Sequence, residues 1–436
     1  MHPKQLPLPS PQHIEWFERE MSVLIHQDVE VYDPNYQCAH PETLPPAEVF
    51  NPRECNTDQW LECAVAAGCK QAIMVTKHAS GYCLFPTSVH KYSIESSPWK
   101  NGKGDMVADF VKSCEKYGIK PGLYYSVCDS DYYGVVHGVM QHDARVTWDE
   151  YANIVLTQLR EIWSRYGEMG ELWFDGRMWP NAPECYRERL AALIQELQPN
   201  AICFDGDPSY VNAARCCGNE DGQCLRWSNA GYDNRILDYL NNQRGWRDGR
   251  YYMPIESVIC NHDNYGFWAG WFYHKGEEYN LVRPVEMIER YYASVGHNTT
   301  LSIGMVIDDR GLVPDADAAY FKEFGRLLKE QFANKLGTVE GKVGQMSFDI
   351  PNPEMREVNM LDLHEDIRFG ERISRFKLYG LNDAGQEVPL TFGDAIGHRL
   401  LERFPKACYP AYRLRILDCV GESHLKDMSL YLVPRY

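Results

Sequence analysis

The feature that most constrains this chain is a regular alternation of short apolar runs with longer amphipathic stretches, from Ser10 to about Phe332. The runs have the length of buried strands, and the stretches between them carry the apolar period of helices. Strands separated by helices pair in parallel through right-handed crossovers. Seven or eight such units favour an α/β fold of the closed (β/α)8 type, a TIM barrel, over an open sheet.

The apolar runs and the helical periods give an explicit prediction of the barrel elements. The predicted strands are residues 23–25, 72–75, 121–125, 171–174, 201–204, 252–255 and 300–303. The predicted helices are residues 57–67, 105–117, 148–166, 185–197, 285–295 and 316–331. Asp105 and Asp315 stand where helix N-caps are expected, and Gly68 and Gly118 follow helix ends.

The pattern changes near Asn334. From Gly337 onward, short alternating stretches are broken by Gly, Pro and Asn, which is typical of an antiparallel β-sandwich. We therefore predict two domains, a barrel over residues 1–335 that would carry the active site and a C-terminal β-sandwich over residues 336–436.

Composition argues against several classes of protein. The formal net charge of −17, without a Lys/Arg-rich stripe, argues against nucleic-acid binding. No window approaches about eighteen consecutive apolar residues, so no membrane span is expected. The fifteen cysteines lack Cys-x-x-Cys pairs, which is typical of reduced thiols and indicates neither a disulfide framework nor a metal site. Because the first residues lack an apolar signal region, we expect a cytoplasmic protein, with a secreted form left open.

Polar and aromatic residues gather at the carboxyl ends of the predicted strands, where the working residues of such barrels lie. The side chains at these ends are His26, Lys77, His78, Tyr124, Asp175, Asp205 and Glu256. This mixture suits a pocket for a polyol, and the cleavage of a glycosidic bond needs two carboxyl groups.

Asp175 ends the run Glu-Leu-Trp-Phe-Asp-Gly. Trp173 and Asp175 have the same parity on a strand, so both are predicted to point into the barrel mouth. On this pattern alone, Asp175 is equally a catalytic nucleophile or a structural cap of the following helix.

Several segments resemble the α-L-fucosidases of glycoside hydrolase family 29. They are MSVLIH, IMVTKHASGYCLFPTSVHKYSI, SPWKNGKGDMVADFVKSCEKYGIKPGLYYS, ELWFDG and FGRLLKEQF, and DLHEDIRFGERISRFKLYGL resembles the C-terminal sandwich of those enzymes. The resemblance is collinear over nearly the whole chain. It implies a retaining exo-glycosidase that removes terminal α-L-fucose from an oligosaccharide or glycan through a covalent intermediate on Asp175. It implies no metal or other cofactor, and it leaves the oligomeric state open.

The second carboxyl group has two candidates. The branch of the family specific for α1,3/1,4-linked fucose places its acid/base in a loop motif similar to Gly-Asn-Glu-x-Gly, which residues 218–222 match with Glu220 at the acidic position. Such a Glu needs a raised pKa, which the nucleophile's charge and partial burial would supply. Glu256 resembles another family position and is either an alternative acid/base or a ligand of a substrate hydroxyl.

The resemblance also implies a set of substrate-binding residues. They are His26, His78, Tyr124, Trp173 and Trp271, with Glu256 as a further member. Trp271 matches an aromatic residue that packs against the C5 methyl group of fucose in this branch of the family.

The chain departs from the family pattern on one side of the predicted pocket. The motif Lys-His-His-Asp-Gly-Phe is Lys-His-Ala-Ser-Gly-Tyr in residues 77–82, so Ala79 and Ser80 replace a histidine and an aspartate. Gln27 replaces an aromatic residue after His26. Either another polar group compensates, or Ala79 widens the pocket for a different or decorated L-sugar, or the protein is a catalytically weak fucose-binding homologue.

Overall fold

The computed structural model describes residues 6–136, 139–175, 178–179, 182–233, 239–262 and 270–435. Its N-terminal part is a closed barrel of parallel strands, which confirms the predicted fold. The strands are β1 (Met21–His26), β2 (Gln71–Lys77), β3 (Lys120–Tyr125), β4 (Glu171–Phe174), β5 (Ile202–Phe204), β6 (Ala213–Cys216), β7 (Ile255–Ile259) and β8 (Thr299–Val306). They follow one another around the barrel in chain order, and β8 closes it by pairing with β1.

Helices precede, separate or follow the barrel strands along the chain, except that β5 and β6 are joined without one. They are α1 (Pro11–Arg19), α2 (Thr57–Ala67), α3 (Met106–Tyr117), α4 (Trp148–Arg165), α5 (Glu184–Leu197), α6 (Tyr239–Arg244), α7 (Pro284–Ala293) and α8 (Asp315–Gln331). The predicted cap of α3 is confirmed, because the Asp105 carboxylate accepts a hydrogen bond from the backbone N–H of Ala108. Gly68 and Gly118 end α2 and α3 in the left-handed conformation, as predicted. The prediction for Asp315 is wrong by one residue, since Pro314 occupies the N-cap and Asp315 begins the helix.

Two barrel strands differ from the prediction. The sequence does not predict β6, which contains Arg215, a fully buried cation whose guanidinium donates to backbone carbonyls such as that of Asn229. The strand predicted over residues 252–255 is displaced, because β7 begins only at Ile255 and Tyr251–Tyr252 pairs instead with Gly231–Tyr232 in a separate ribbon. The displacement moves Glu256 from the end of a strand to its second residue.

The C-terminal part consists of two antiparallel four-stranded sheets, which confirms the predicted β-sandwich. Its strands are β9 (Lys335–Glu340), β10 (Ser347–Pro351), β11 (Val358–Glu365), β12 (Ile373–Leu381), β13 (Glu387–Gly393), β14 (Leu400–Ala407), β15 (Ala411–Cys419) and β16 (Leu425–Tyr431). The sheet orders are β9-β16-β11-β14 and β10-β15-β12-β13, and apolar side chains of both sheets form one core. The change from helix to strand falls between Gln331 and Lys335, and the exact domain boundary at residue 335 stays a prediction.

Buried polar contacts join the sandwich to the barrel. Arg399 donates to Glu20 at 2.6 Å, to the Tyr291 hydroxyl at 2.8 Å and to both carboxylate oxygens of Asp362. The guanidinium therefore links the end of α1, α7 and β11. Among the described residues, every helix is too short or too polar to cross a bilayer.

Candidate active site

An open cavity lies at the carboxyl ends of the barrel strands. Its empty space is about 580 Å³ with the mouth included, and its walls are Leu24, His26, Glu30, Cys38, His78, Tyr124, Trp173, Asp175, Glu220, Val258, Trp271 and Phe272. The structure thus brings seven of the predicted site residues to one cavity. Within the described part of the chain, Glu256 is the predicted residue that does not line it.

Asp175 stands on the cavity wall directly after β4. Its Oδ2 accepts a hydrogen bond from the Tyr124 hydroxyl at 2.7 Å. Tyr124 stacks on Trp173 with ring centroids 5.0 Å apart, and Trp173 stacks on Phe204 at 4.1 Å. Burial, with the charge of Asp175, raises the pKa of Tyr124 well above its ordinary value, so the phenol stays a donor. The parity argument is confirmed, because Trp173 and Asp175 both face the cavity.

Glu220 reaches the same cavity from the loop between β6 and β7. Gly222 adopts a φ of +64° there, and a Cβ on it would lie 3.0 Å from the Ile259 side chain. The backbone N–H of Gly222 donates to the Val258 carbonyl, which fixes the loop to β7. The indole N–H of Trp271 donates to Glu220 Oε2 at 2.9 Å.

The electrostatic surroundings of Glu220 favour its protonated form. Burial raises the pKa of Glu220, and the negative charges of Asp175 and Asp221 raise it further, against the hydrogen bond from Trp271. The causes expected from the sequence are thus present. A protonated carboxyl beside an anionic one can donate a proton to a leaving group at near-neutral pH.

Glu256 lies beneath the cavity, inside the barrel. It is 1% exposed, and its Oε1 accepts the indole N–H of Trp173 at 3.0 Å. Its other neighbour is the Glu171 carboxyl, which accepts the indole N–H of Trp16 at 2.8 Å. Burial, with the charge of Glu171, raises the pKa of Glu256 well above its ordinary value, which favours the protonated form of Glu256 beside Glu171. The predicted strand-end position of Glu256 is therefore wrong, and its alternative role as acid/base stays a prediction.

Two neutral histidines form the opposite wall. Burial lowers the pKa of His26 to about 3, and burial with the nearby Lys77 charge lowers that of His78 to about 4. His26 Nδ1 lies 3.2 Å from the Leu24 carbonyl, and a neutral ring that donates there has Nε2 free as an acceptor. Lys77 does not line the cavity and lies 3.3 Å from Asp129 in a fully buried ion pair.

An aromatic corner completes the cavity. The Trp271 ring centroid lies 4.9 Å from that of His26. The Phe272 ring packs against both histidines, at 5.3 Å from His26 and 5.0 Å from His78. Phe272 was not predicted as a site residue, although it neighbours Trp271 in the sequence.

The residues that depart from the family pattern are tied into the structure beside the cavity. Gln27 is buried and donates to the Tyr32 hydroxyl at 2.7 Å. Ser80 donates to Asp28 at 2.6 Å, and the Ala79 carbonyl accepts from the backbone N–H of Ser130 at 2.9 Å. Whether Ala79 widens the sugar site stays a prediction.

Glu30 and Cys38 line the cavity but were not predicted. Both follow β1 in a region without a regular apolar period, so only their nearness in sequence to His26 could have suggested them.

The chain was compared with known proteins. The sequence profile of the family described as Alpha-L-fucosidase matches residues 7–332. Alpha-L-fucosidase 1 of Arabidopsis thaliana is 27% identical over 92% of this chain and 82% of its own. The crystal structure of a proposed α-L-fucosidase from Bacteroides thetaiotaomicron is 27% identical, with a TM-score of 0.90 over 99% of this chain and all of its own.

A second solved structure widens the comparison. A glycoside hydrolase family 29 member from an unknown rumen bacterium is 25% identical, with a TM-score of 0.83 over 99% of this chain and 78% of its own. The matched profile covers most of the chain, including the barrel and every residue of the cavity wall. This chain is therefore a glycoside hydrolase that belongs to the α-L-fucosidase family, glycoside hydrolase family 29.

Proposed function

We propose that this protein is a retaining exo-α-L-fucosidase that removes terminal α1,3/1,4-linked fucose from oligosaccharides or glycans. The observation that carries the proposal is that Asp175 and Glu220 line one cavity and that the negative charge of Asp175 acts on Glu220. Tyr124 donates to the first carboxylate, and the charge of the first raises the pKa of the second. Retaining hydrolysis needs this division into an anionic nucleophile and a protonated acid.

In the proposed first step, Asp175 attacks the anomeric carbon of fucose while Glu220 gives its proton to the departing glycosidic oxygen. The C–O bond to the aglycon breaks as the ester to Asp175 forms. In the second step, Glu220 removes a proton from water, the water oxygen attacks the same carbon, and the Asp175 carboxylate leaves. Two inversions return the α configuration.

The remaining walls suit the glycon of this proposal. The faces of Trp271 and Phe272 offer an apolar surface to the C5 methyl group, and the neutral rings of His26 and His78 offer hydrogen bonds to hydroxyl groups. Neutral rings suit an uncharged sugar, since no buried cation then needs a partner.

The proposal is tested with fucosylated oligosaccharides of defined linkage. We expect release of fucose from α1,3 and α1,4 linkages, with the α-anomer appearing first in a proton NMR time course. The matched variants are Asp175→Gly and Asp143→Asn, the second at a carboxylate that does not line the cavity. The first should lose turnover and recover part of it with azide on an activated aryl fucoside, and the second, an exposed loop carboxylate, should stay close to native. Initial β-fucose, or an active Asp175→Gly enzyme without azide, would contradict the mechanism.

A different or decorated L-sugar is the second candidate, favoured by Ala79 and Ser80 in place of a histidine and an aspartate. The same two steps would act on it. A panel of aryl α-L-fucosides and α-L-galactosides, assayed with the native enzyme and with Ala79→His, separates the two. Faster galactoside cleavage by the native enzyme would favour the second candidate. Binding of fucose without release of any sugar would instead indicate a catalytically weak homologue.

A further inference from the structure

The cavity contains a third carboxyl group, Glu30, which the proposed mechanism does not use. We propose that Glu30 is a sugar-recognition residue, whose carboxylate accepts hydrogen bonds from glycon hydroxyl groups on the side where Ala79 and Ser80 stand. It thereby selects neutral sugars with free hydroxyl groups on that side. The inference rests on the proposed function, because it assigns one more residue to the same glycon site.

The position of Glu30 is fixed by the barrel rather than by a free loop. It is the middle residue of the short 3-10 turn Val29–Val31, which begins three residues after β1 ends at His26. Asp28 caps this turn by accepting the backbone N–H of Val29 at 2.7 Å. Asp28 also accepts the Ser80 hydroxyl at 2.6 Å, so the turn is docked directly on the segment that contains Ala79.

The Glu30 carboxylate has acceptor capacity that the protein leaves unused. Its side chain is 19% exposed, and the described residues place no donor within hydrogen-bonding distance of it. The partly exposed His274 is the nearest side chain with a donor nitrogen, and its Nε2 lies 3.8 Å away. Two neighbouring acids are already engaged, Asp28 as above and Asp131 with the Tyr36 hydroxyl and the Ala39 backbone N–H.

The surroundings of the Glu30 carboxyl group favour the binding of a ligand hydroxyl group that donates to it. Burial, with the charges of Asp28 and Asp131, raises the pKa of Glu30 to about 7. A carboxylate that burial has partly removed from solvent gains more from a ligand hydroxyl that donates to it than a fully exposed carboxylate would. A carboxylate can accept from two adjacent hydroxyl groups of a polyol, whereas it repels sulfate or carboxylate substituents.

The inference also accounts for the lost histidine. Ala79 presents a methyl group, which offers no hydrogen bond, and Ser80 is committed to Asp28. Among the described residues between β1 and β2, Glu30 is the carboxyl group of the cavity wall that is available to a ligand.

The test uses Glu30→Ala and Glu30→Gln, with Glu42→Gln as the matched control, since Glu42 is an exposed acid in the same connection between β1 and α2. With an aryl α-L-fucoside we expect Glu30→Ala to lose roughly 10- to 100-fold in kcat/KM, the range for a hydrogen bond to a charged group. Glu30→Gln should lose less, because its carbonyl still accepts. Glu42→Gln should stay within about twofold of native.

Two further readouts separate recognition from a structural role. Without sugar, the Tm of Glu30→Ala should equal or exceed that of the native enzyme, because a partly buried acid beside the like charges of Asp28 and Asp131 has been removed. Adding Ala79→His to Glu30→Ala should restore part of kcat/KM. An unchanged kcat/KM in Glu30→Ala, or a loss accompanied by a lower Tm and no restoration, would overturn the inference while leaving the proposed function intact. If the native protein neither cleaves fucosides nor binds L-fucose in calorimetry, the proposed function fails, and this inference fails with it.

Discussion

Replacing Glu256 with glutamine separates a structural carboxyl from a catalytic one. Glu256, whose raised pKa favours the protonated form, hydrogen-bonds to Glu171 and accepts the indole N–H of Trp173 at 3.0 Å. A glutamine of the same size can do both, with its amide N–H as donor and its carbonyl as acceptor. Glu256→Gln should therefore keep kcat within about tenfold of native, since a shift of about 1 kcal/mol covers one imperfect hydrogen bond.

Glu256→Ala gives the magnitude of the structural role. It leaves the buried Trp173 indole N–H without its acceptor and removes one hydrogen bond to Glu171, whose carboxyl still accepts from Trp16 and Gln71, so the free energy of unfolding should fall by about 2–4 kcal/mol. The Trp173 ring also loses its anchor beside Tyr124 and Asp175. Urea unfolding gives the stability, and initial rates on an aryl α-L-fucoside and on an unactivated oligosaccharide give the activity.

The pH dependence of stability provides an independent sign. The pKa of Glu256 is higher in the folded protein than in the unfolded chain, where the pKa of glutamate is about 4.3. The folded state therefore binds the extra proton, and this contribution is present below pH 4.3 and is lost as pH rises through the folded value. Glu256→Gln should lose this dependence, so its stability should exceed that of the native enzyme increasingly toward alkaline pH.

Comparing Glu256→Gln with Glu220→Gln tests which of the two carboxyl groups is the acid. As the proposed acid, Glu220 should contribute roughly 10²- to 10⁴-fold to cleavage of the unactivated substrate, and much less with a leaving group that needs no proton. If Glu256→Gln shows this leaving-group pattern and Glu220→Gln does not, the assignment made from burial and cavity lining is refuted.

Three further predictions follow from single contacts. Tyr124→Phe removes the 2.7 Å hydrogen bond to Asp175 and should lower kcat by roughly 10-fold or more, with a smaller change in KM. Steady-state kinetics on an aryl fucoside tests this, and a change in KM alone would contradict it. Trp271→Phe removes the donor that lowers the pKa of Glu220, so the alkaline limb of kcat/KM should move to higher pH, and a limb that stays in place would contradict this. Arg399→Met leaves the buried Asp362 without its cation and should cost about 3–5 kcal/mol in urea unfolding, whereas Arg368→Met, in an exposed pair, should cost less than about 1 kcal/mol.

The sequence predicted the elements whose pattern is strictly local. The bounds of α2 and the shared face of Trp173 and Asp175 follow from helical and strand periods, which need no knowledge of distant contacts. The β6 strand was not predicted because it contains Arg215, a charged residue. Backbone carbonyl groups of remote loops accept its hydrogen bonds, and no local sequence pattern reveals such contacts. The register of β7 escaped because Tyr251–Tyr252 has strand character yet pairs outside the barrel.

The two loop acids of the site also differ in how far the sequence predicts them. Glu220 is in an irregular loop, and only the motif resemblance singled it out from other loop acids. Glu30 has neither a motif nor a period, so its place on the cavity wall depends on the path of the chain after β1 and on the docking of Asp28 against Ser80. The tertiary structure therefore adds most at the positions where side chains meet from separate loops.

The proposed mechanism needs one carboxyl to act first as an acid and then as a base, and the contacts around Glu220 provide for this reversal. Before reaction, the Asp175 anion is one of the charges that raise the pKa of Glu220. Once Asp175 is esterified its charge is gone, while the donor from Trp271, which lowers the pKa, remains. The pKa of Glu220 must then fall. Glu220 has already given its proton to the leaving group, so it stays ionised and can accept a proton from the attacking water. Glu256 cannot undergo this change in the same way, because the largest charge acting on it belongs to Glu171, which the reaction does not neutralise. The charges around the two carboxyl groups therefore favour Glu220 as the proposed acid/base, without reference to its sequence motif.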